Sequence, residues 1–259
     1  MLHIFRTEWL KVKSYRTFWV LIGLTFVSFF GVNFGAAEIT GEMVKQSKGF
    51  ITSVYDFPTV WQMMAIFGNY AIIFPGFLVI ILVTNEFTFK THRQNIIDGW
   101  SRRDFIISKL FWVVALSVFS LVCAVIFGLI LGLMYGQNSI SFEDFSYMWY
   151  FFGQTLLVLS LALLLGVLIK RAGFTIVIFM AYVMGGEQML VFLGKRYDIS
   201  LITLMPMQAT DELIPFPTIL GKAARNVSLY GSSVYIIATL VFIALLTYFT
   251  SRKLSRADL

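Results

Sequence analysis

The sequence predicts an all-α polytopic membrane protein with six transmembrane helices, an N-terminal interfacial helix and a broken, re-entrant outer loop before the last span. Of its 259 residues, 58% are hydrophobic and only 13% are charged, and the mean hydropathy is +0.81. A soluble domain carries roughly 45–50% apolar and about 25% charged residues. Lipid must therefore cover most of the surface. The basic residues are gathered into a few short segments, which indicates membrane topology rather than nucleic-acid binding.

Six apolar segments are long enough to cross a bilayer as helices, since about 20 residues span the hydrocarbon core. Lipid offers no partner to unpaired backbone groups, so each span must be helical. The first span has a longer apolar stretch than a signal peptide and is predicted to be retained. The predicted spans are 18–37, 61–83, 111–135, 148–169, 174–193 and 232–250.

The distribution of charge predicts the orientation of these spans. If the N-terminus is cytoplasmic, the inner segments hold 14 of the 20 basic residues and five of the 14 acids, a charge of +9. The outer segments then carry a charge of −2. Lysine and arginine are enriched on the cytoplasmic side of membrane proteins. We therefore expect both termini in the cytoplasm and the chain in a plasma membrane of the bacterial inner-membrane type.

Residues 1–16 have the pattern of a helix that lies along the cytoplasmic membrane surface. Leu2, Phe5, Trp9 and Val12 fall near one helical face, with basic residues beside it. Such a helix places tryptophan at the headgroups and its charges toward phosphate. An ordinary anchor beside the first span fits this pattern equally well.

The loop after the second span carries signals for a helix, a stop and another helix. Glu86 and Lys90 have the i,i+4 spacing of a helical ion pair. Gly99 stands where a helix C-terminal cap belongs. Ser101 and Asp104 form a capping box that opens the third span. The sequence therefore predicts a short helix over 86–98, along the inner membrane surface.

This helix is predicted to have two different faces. At 100° per residue an apolar face can rest on the transmembrane core, and the opposite face presents polar groups to a partner or to solvent. The apolar face comprises Phe89, Arg93, Ile96, Ile97 and Trp100, and the polar face comprises Thr88, Thr91, Gln94, Asn95 and Asp98, with Phe87 among them.

The order of these elements resembles that of ABC-2-type transporter permeases, the membrane-spanning subunits of ATP-binding cassette exporters. The resemblance covers essentially the whole chain: the interfacial helix, six spans, the loop after the second span and the broken outer segment at 199–220. In the loop it includes Glu86, Thr91, Asp98, Gly99, Ser101, Arg102 and Lys109.

The resemblance implies that 86–98 is a coupling helix that docks into a separate ABC ATPase subunit. It also implies two ATPase copies per transporter and a second permease copy or a homologous permease. ATP and magnesium would bind the ATPase, since the chain has no phosphate-binding G-x-x-x-x-G-K-[ST] motif. No catalytic, cofactor or metal residue is therefore expected here. The implied docking residues are Glu86, Phe87, Thr88, Thr91, Arg93, Gln94, Asn95, Asp98 and Gly99.

Two further features bear on the direction and chemistry of transport. The importer-type EAA loop is absent, which favours export, and the aromatic and aliphatic spans favour an amphipathic or hydrophobic cargo. The alternatives are a proton-coupled secondary transporter and an accessory membrane subunit. An intramembrane enzyme is disfavoured, because the spans lack clustered catalytic residues.

Glu187 is the one acid inside a predicted span. A carboxylate at membrane depth is costly, which makes it a candidate for substrate contact, proton binding or a hydrogen bond between subunits. A packing role near the outer boundary is the alternative.

Overall fold

The computed structural model describes residues 2–46, 53–91, 94, 97, 99–136, 138–217 and 229–256, and this part of the chain is helical without a β-strand. Five helices are long and apolar enough to cross a membrane, and one bent helix pair completes six candidate spans. The all-α polytopic fold expected from composition is confirmed.

The helices follow one another in the order expected from the apolar pattern, with the second and fifth spans interrupted. A π-helical turn at Tyr182–Gly186 joins α7 to α8, and a 3₁₀ helix at Ser200–Leu204 precedes α9. The helices are α1 (Leu2–Lys13), α2 (Arg16–Gln46), α3 (Val60–Ala71), α4 (Ile73–Thr88), α5 (Arg102–Tyr135), α6 (Ser146–Ile169), α7 (Ala172–Ala181), α8 (Glu187–Arg196), α9 (Pro206–Leu213) and α10 (Ser232–Arg256).

The second span is not the continuous helix predicted over 61–83. It consists of α3 and α4, which meet at an angle of 41°. Pro75 lies in the first turn of α4 and has no N–H to donate to the carbonyl of Ala71. Its ring also crowds the preceding turn, so proline accounts for the bend.

The fourth span, α6, is the centre of the bundle. It packs against α3, α4, α5, α7, α9 and α10. Gly166 lets α4 approach closely, because a Cβ atom at that position would collide with the Val83 side chain. In contrast, the fifth span has only 17% of its most apolar 18-residue stretch buried, and the last span has the same fraction. These two spans therefore present most of their surface to lipid or to a partner.

Only part of the predicted face of the N-terminal helix packs on the bundle, where the ring centroid of Phe5 lies 4.5 Å from that of Phe111. Val12 is buried, whereas Trp9 is 45% exposed and contacts Phe18 and Trp19 edge-on. The buried side of α1 also carries Glu8, which is 2% exposed. A helical projection of the apolar residues does not assign Glu8 to the buried side, because Glu8 is charged.

The broken outer segment predicted over 199–220 contains two short helices, the 3₁₀ helix and α9. Both are too short to cross a bilayer. α9 packs against α6, α8 and α10. The last part of the predicted segment, from 218 onward, lies outside the described residues.

Candidate functional site

The loop after the second span begins later than predicted. α4 continues to Thr88, so Glu86, Phe87 and Thr88 end the second span instead of starting a separate helix. The helical conformation is interrupted at Lys90, whose φ of 55° lies in the left-handed region. The prediction of one helix over 86–98 is wrong at this end, because the left-handed residue interrupts the helical register.

Three described residues lie on the other side from the one predicted, whereas Thr88 and Gln94 are exposed as expected. Phe89 and Ile97, assigned to the membrane-facing side, are 70% and 77% exposed. Thr91, assigned to the outer polar side, turns inward, and its hydroxyl donates to Glu86 Oε2 at 2.9 Å. Arg93, Asn95 and Asp98 lie outside the described residues.

The remaining local signals of this loop agree with the structure. Gly99 has a φ of +93°, a conformation that favours glycine. Ser101 and Asp104 form the capping box, with both reciprocal hydrogen bonds present, and α5 begins at Arg102. Phe87 is half-buried beneath Lys170, whose Nζ lies 5.0 Å from the ring centroid. Phe87 therefore contacts the turn between the fourth and fifth spans.

Glu86 does not pair with Lys90. It belongs to a group of four charges, the buried Glu8, Glu86 and Lys109 and the partly exposed Lys11, which we call the ionic cluster. Lys109 Nζ lies 2.8 Å from Glu86 Oε1 and 3.0 Å from Glu8 Oε2. Lys11 Nζ lies 3.3 Å from Glu86 Oε1 and 3.2 Å from Glu8 Oε1.

The ionic cluster is deeply buried and balanced in charge. Lys109 is 3% exposed and Glu86 is 5% exposed. The Trp112 indole N–H donates to Glu8 Oε2 at 3.1 Å, so this oxygen accepts from Trp112 as well as from Lys109. Buried charges are tolerated when they are paired and hydrogen-bonded in this way. Because Glu8 lies on α1, Glu86 on α4 and Lys109 on α5, the cluster joins three elements at one end of the helix bundle.

Sequence reasoning missed three members of this cluster. In the sequence, Lys109 falls within the loop that resembles the family's, and Glu8 and Lys11 count only among the charges that predict the topology. One signal was available: Glu8 precedes the apolar Val12 by four residues and therefore shares its helical face. The contact of Glu8 with Lys109 spans 101 positions in sequence, and no local pattern predicts it.

On the outer side, Glu187 is 1% exposed and is held by three donors. Its Oε1 accepts the backbone N–H groups of Met207 and Gln208, each at 2.8 Å. The Tyr182 hydroxyl donates to Oε2. Pro206, at the first position of α9, has no N–H, so the carboxylate meets the next two free donors of that helix. Glu187 therefore caps α9 from the fifth span, and the negative charge suits a helix N-terminus.

A cavity of about 520 Å³ lies between α3, the fifth span and α9. We call it the outer cavity. Its lining includes Gln154 of α6, Asp211 of α9 and Tyr70 of α3. Among the described residues, no group of histidine, cysteine, aspartate or glutamate side chains has the arrangement of a metal site.

Residues 4–186 match the family model described as ABC-2 family transporter protein. The match covers more than half of the chain and includes every member of the ionic cluster. No curated protein matches the chain.

Proposed function

The chain belongs to the ABC-2 family of membrane transport proteins, and from that premise we propose that it is the permease subunit of an exporter driven by a separate ABC ATPase. ATP and magnesium would bind the ATPase, present in two copies. A second copy of this chain, or a homologous permease, would complete the transmembrane pathway. The complex would lie in the bacterial inner membrane with both termini of this chain in the cytoplasm.

The observation that carries this proposal is the connection between the cytoplasmic loop and the ionic cluster. Thr91 bonds to Glu86 across the break at Lys90. Glu86 in turn bonds to Lys109 at the start of the third span. A force applied to the loop by a docked ATPase would reach the second and third spans through these side chains. Buried charge pairs resist separation, because each partner would be left uncompensated.

The loop also offers a surface for the ATPase. Phe89 and Ile97 are the exposed apolar side chains of its described part. An apolar centre with a polar border is the usual composition of a protein interface. We propose that these two residues enter the cleft of the ATPase, with Gln94 beside them. The proposed docking surface thus combines Phe89 and Ile97, predicted to face the membrane, with Gln94, predicted to face a partner.

The outer position of Glu187 supports a positioning role. Three donors already bind its carboxylate oxygens, and the side chain is 1% exposed, so contact with cargo would require α9 to move away. We propose that Glu187 holds α9 against the fifth span. Proton-coupled transport, the alternative from the sequence, gains no support from this arrangement.

A vanadate-sensitive ATPase assay tests the proposal on the complex purified in mild detergent and reconstituted into nanodiscs. Phe89→Asp and Ile97→Asp should each abolish association with the ATPase, because they place a charge at the centre of the interface. Tyr197→Asp is the matched control, since Tyr197 is 74% exposed on the outer side. Wild-type association and ATP hydrolysis in both loop variants would contradict the proposed docking surface. Failure of the wild-type chain to associate with any ATPase would contradict the permease function itself.

A further inference from the structure

The outer cavity has a polar floor and a partly exposed apolar rim. Tyr70, Met184 and Phe216 line it and are 62%, 62% and 54% exposed, so the cavity reaches the molecular surface. Gln154 and Asp211 line its interior. A ligand that fills it must therefore combine a polar end with an apolar body.

The floor contains an acceptor without a donor. Gln154 is 1% exposed, and its Nε2 donates to Asp211 Oδ1 at 2.8 Å. Its Oε1 has no hydrogen-bond partner within the described part of the chain. With Asp211 ionised, the opposite amide orientation would set two acceptors against each other, so the unpaired atom is then the carbonyl oxygen. Buried polar atoms are nearly always paired, and one left unpaired points to a missing donor.

The charges around the floor are predominantly negative. Asp211 has no ion-pair partner among the described residues, whereas Glu212 accepts from Gln208 at 2.8 Å and lies 3.8 Å from Lys195 Nζ. Lys195 is thus engaged by Glu212. Asp211 also lies in the last turn of α9, where the helix dipole is negative. Both features favour a cation beside Asp211.

We propose that the outer cavity binds an amphipathic primary ammonium. Its N–H groups donate to the Asp211 carboxylate and to Gln154 Oε1, and its apolar chain lies along Tyr70, Met184 and Phe216. A primary ammonium has three donors and one positive charge, which matches one carboxylate and one unpaired carbonyl. The role of this ligand as exported cargo rests on the proposed function, but its binding does not.

Binding is tested with the full chain in phosphatidylcholine nanodiscs, with radiolabelled octylammonium as the probe and empty nanodiscs as the blank. The wild-type chain should bind the probe saturably. Asp211→Asn should weaken binding about tenfold or more, because a hydrogen bond to a charged group contributes roughly 1.5–3 kcal/mol. The asparagine can still accept from Gln154, so the floor stays intact. Asp144→Asn, an exposed acid of the loop before α6, is the matched control and should bind like wild type.

A ligand series on the wild-type chain gives a second measurement that does not depend on any variant folding. Octyltrimethylammonium retains the charge but has no N–H donor, and octanol has a donor but no charge. Each should bind at least about tenfold more weakly than octylammonium, because each lacks one of the two required features. Equal binding of all three ligands, unchanged binding in Asp211→Asn, or no saturable binding would each overturn the proposal.

The source of the ammonium is identified by adding phosphatidylethanolamine to the nanodisc. Loss of octylammonium binding then assigns the site to a membrane aminolipid, and retained binding assigns it to a cargo molecule. Both results support the ammonium site. Association of Asp211→Asn with the ATPase is measured in parallel and should be unchanged. If ammonium binding fails while the ATPase complex forms, only this inference is contradicted. If the ATPase complex fails while the ammonium binds, only the proposed function is contradicted.

Discussion

Lys109 at the start of the third span and Glu86 at the end of the second form a buried ion pair with an N–O distance of 2.8 Å. Each also contacts a charged residue of the N-terminal helix, Glu8 for Lys109 and Lys11 for Glu86. The three cytoplasmic elements of the proposed coupling region thus share one network.

Lys109→Met should destabilise the protein strongly, because it leaves two buried carboxylates with only the partly exposed Lys11 as a counter-charge. Breaking a buried pair in this way costs about 3–5 kcal/mol. The thermal unfolding midpoint in nanodiscs measures the loss. Lys195→Met is the matched control: its pair with Glu212 is 3.8 Å long and the lysine is 53% exposed, so about 0–1 kcal/mol is expected. Similar midpoints for the two variants would contradict the structural importance of the cluster.

Thr91→Val should uncouple the loop from the ionic cluster while leaving the spans folded. Valine has nearly the same shape as threonine but cannot donate to Glu86, so the bond that joins the loop to the second span is lost. We expect the ATPase to remain associated, with reduced cargo-stimulated ATP hydrolysis. Thr91→Ser keeps the hydroxyl and should behave like wild type. If valine and serine give the same stimulation, the bond has no role in coupling.

The structure changes the expectation for bulky substitution at Thr91. On the polar face predicted from sequence, a tryptophan in place of Thr91 would put bulk directly in the ATPase interface. Because Thr91 is half-buried against Glu86, tryptophan would instead overpack the chain itself, at about 1–3 kcal/mol. A lowered unfolding midpoint in the isolated permease distinguishes this effect from a docking defect.

Glu187→Leu should loosen α9, because two backbone N–H groups lose their acceptor at a cost of about 1–3 kcal/mol each. Glu187→Gln retains a carbonyl oxygen that can accept from Met207 and Gln208 and should be milder. Limited proteolysis of the outer segment in nanodiscs measures the opening of α9. Equal cleavage of both variants would show that Glu187 does not act as a cap. A role for Glu187 in transport, one of the possibilities raised by its position in a predicted span, stays a prediction.

Cysteine labelling tests the topology, since the native Cys123 is buried and should give little background. A cysteine in place of Glu42 or Asp144 should react with a membrane-impermeant reagent added outside intact cells. A cysteine in place of Lys253 should react only after the membrane is opened. Labelling of Lys253→Cys from outside would refute the orientation derived from the basic residues.

The spans could be predicted from sequence because hydropathy over about 20 residues depends on composition alone. The capping box at Ser101 and the turn at Gly99 could be predicted because their chemistry is local. The break at Lys90 could not, since a left-handed lysine has no sequence signature comparable to glycine. Of the described residues placed by helical projection around that break, Phe89, Thr91 and Ile97 were therefore assigned to the wrong side, whereas Gln94 is exposed as predicted.

Contacts between residues far apart in the chain could not be predicted from the sequence either. Glu187 could be identified as an unusual carboxylate from its position in a span, but not as the cap of α9, whose N–H groups lie 20 and 21 residues further along the chain. Likewise Gln154 and Asp211 meet only because α6 and α9 pack together. Such sites depend on tertiary structure, and the sequence supplies only the candidate residues.

Because the second span is bent, α3 and α4 form two arms that meet at an angle of 41°. α3 lines the outer cavity, and α4 ends two residues after Glu86. The 16 residues of α4 make an arm of about 24 Å at 1.5 Å per residue. If the elbow beside Pro75 closed or opened by about ten degrees, the far end of this arm would sweep through about 4 Å, comparable to most of a helical turn. Small angular changes beside the outer cavity would thus cause larger displacements at the loop after the second span. Conversely, a displacement of the loop by the ATPase would produce a smaller movement at the cavity, with a larger force.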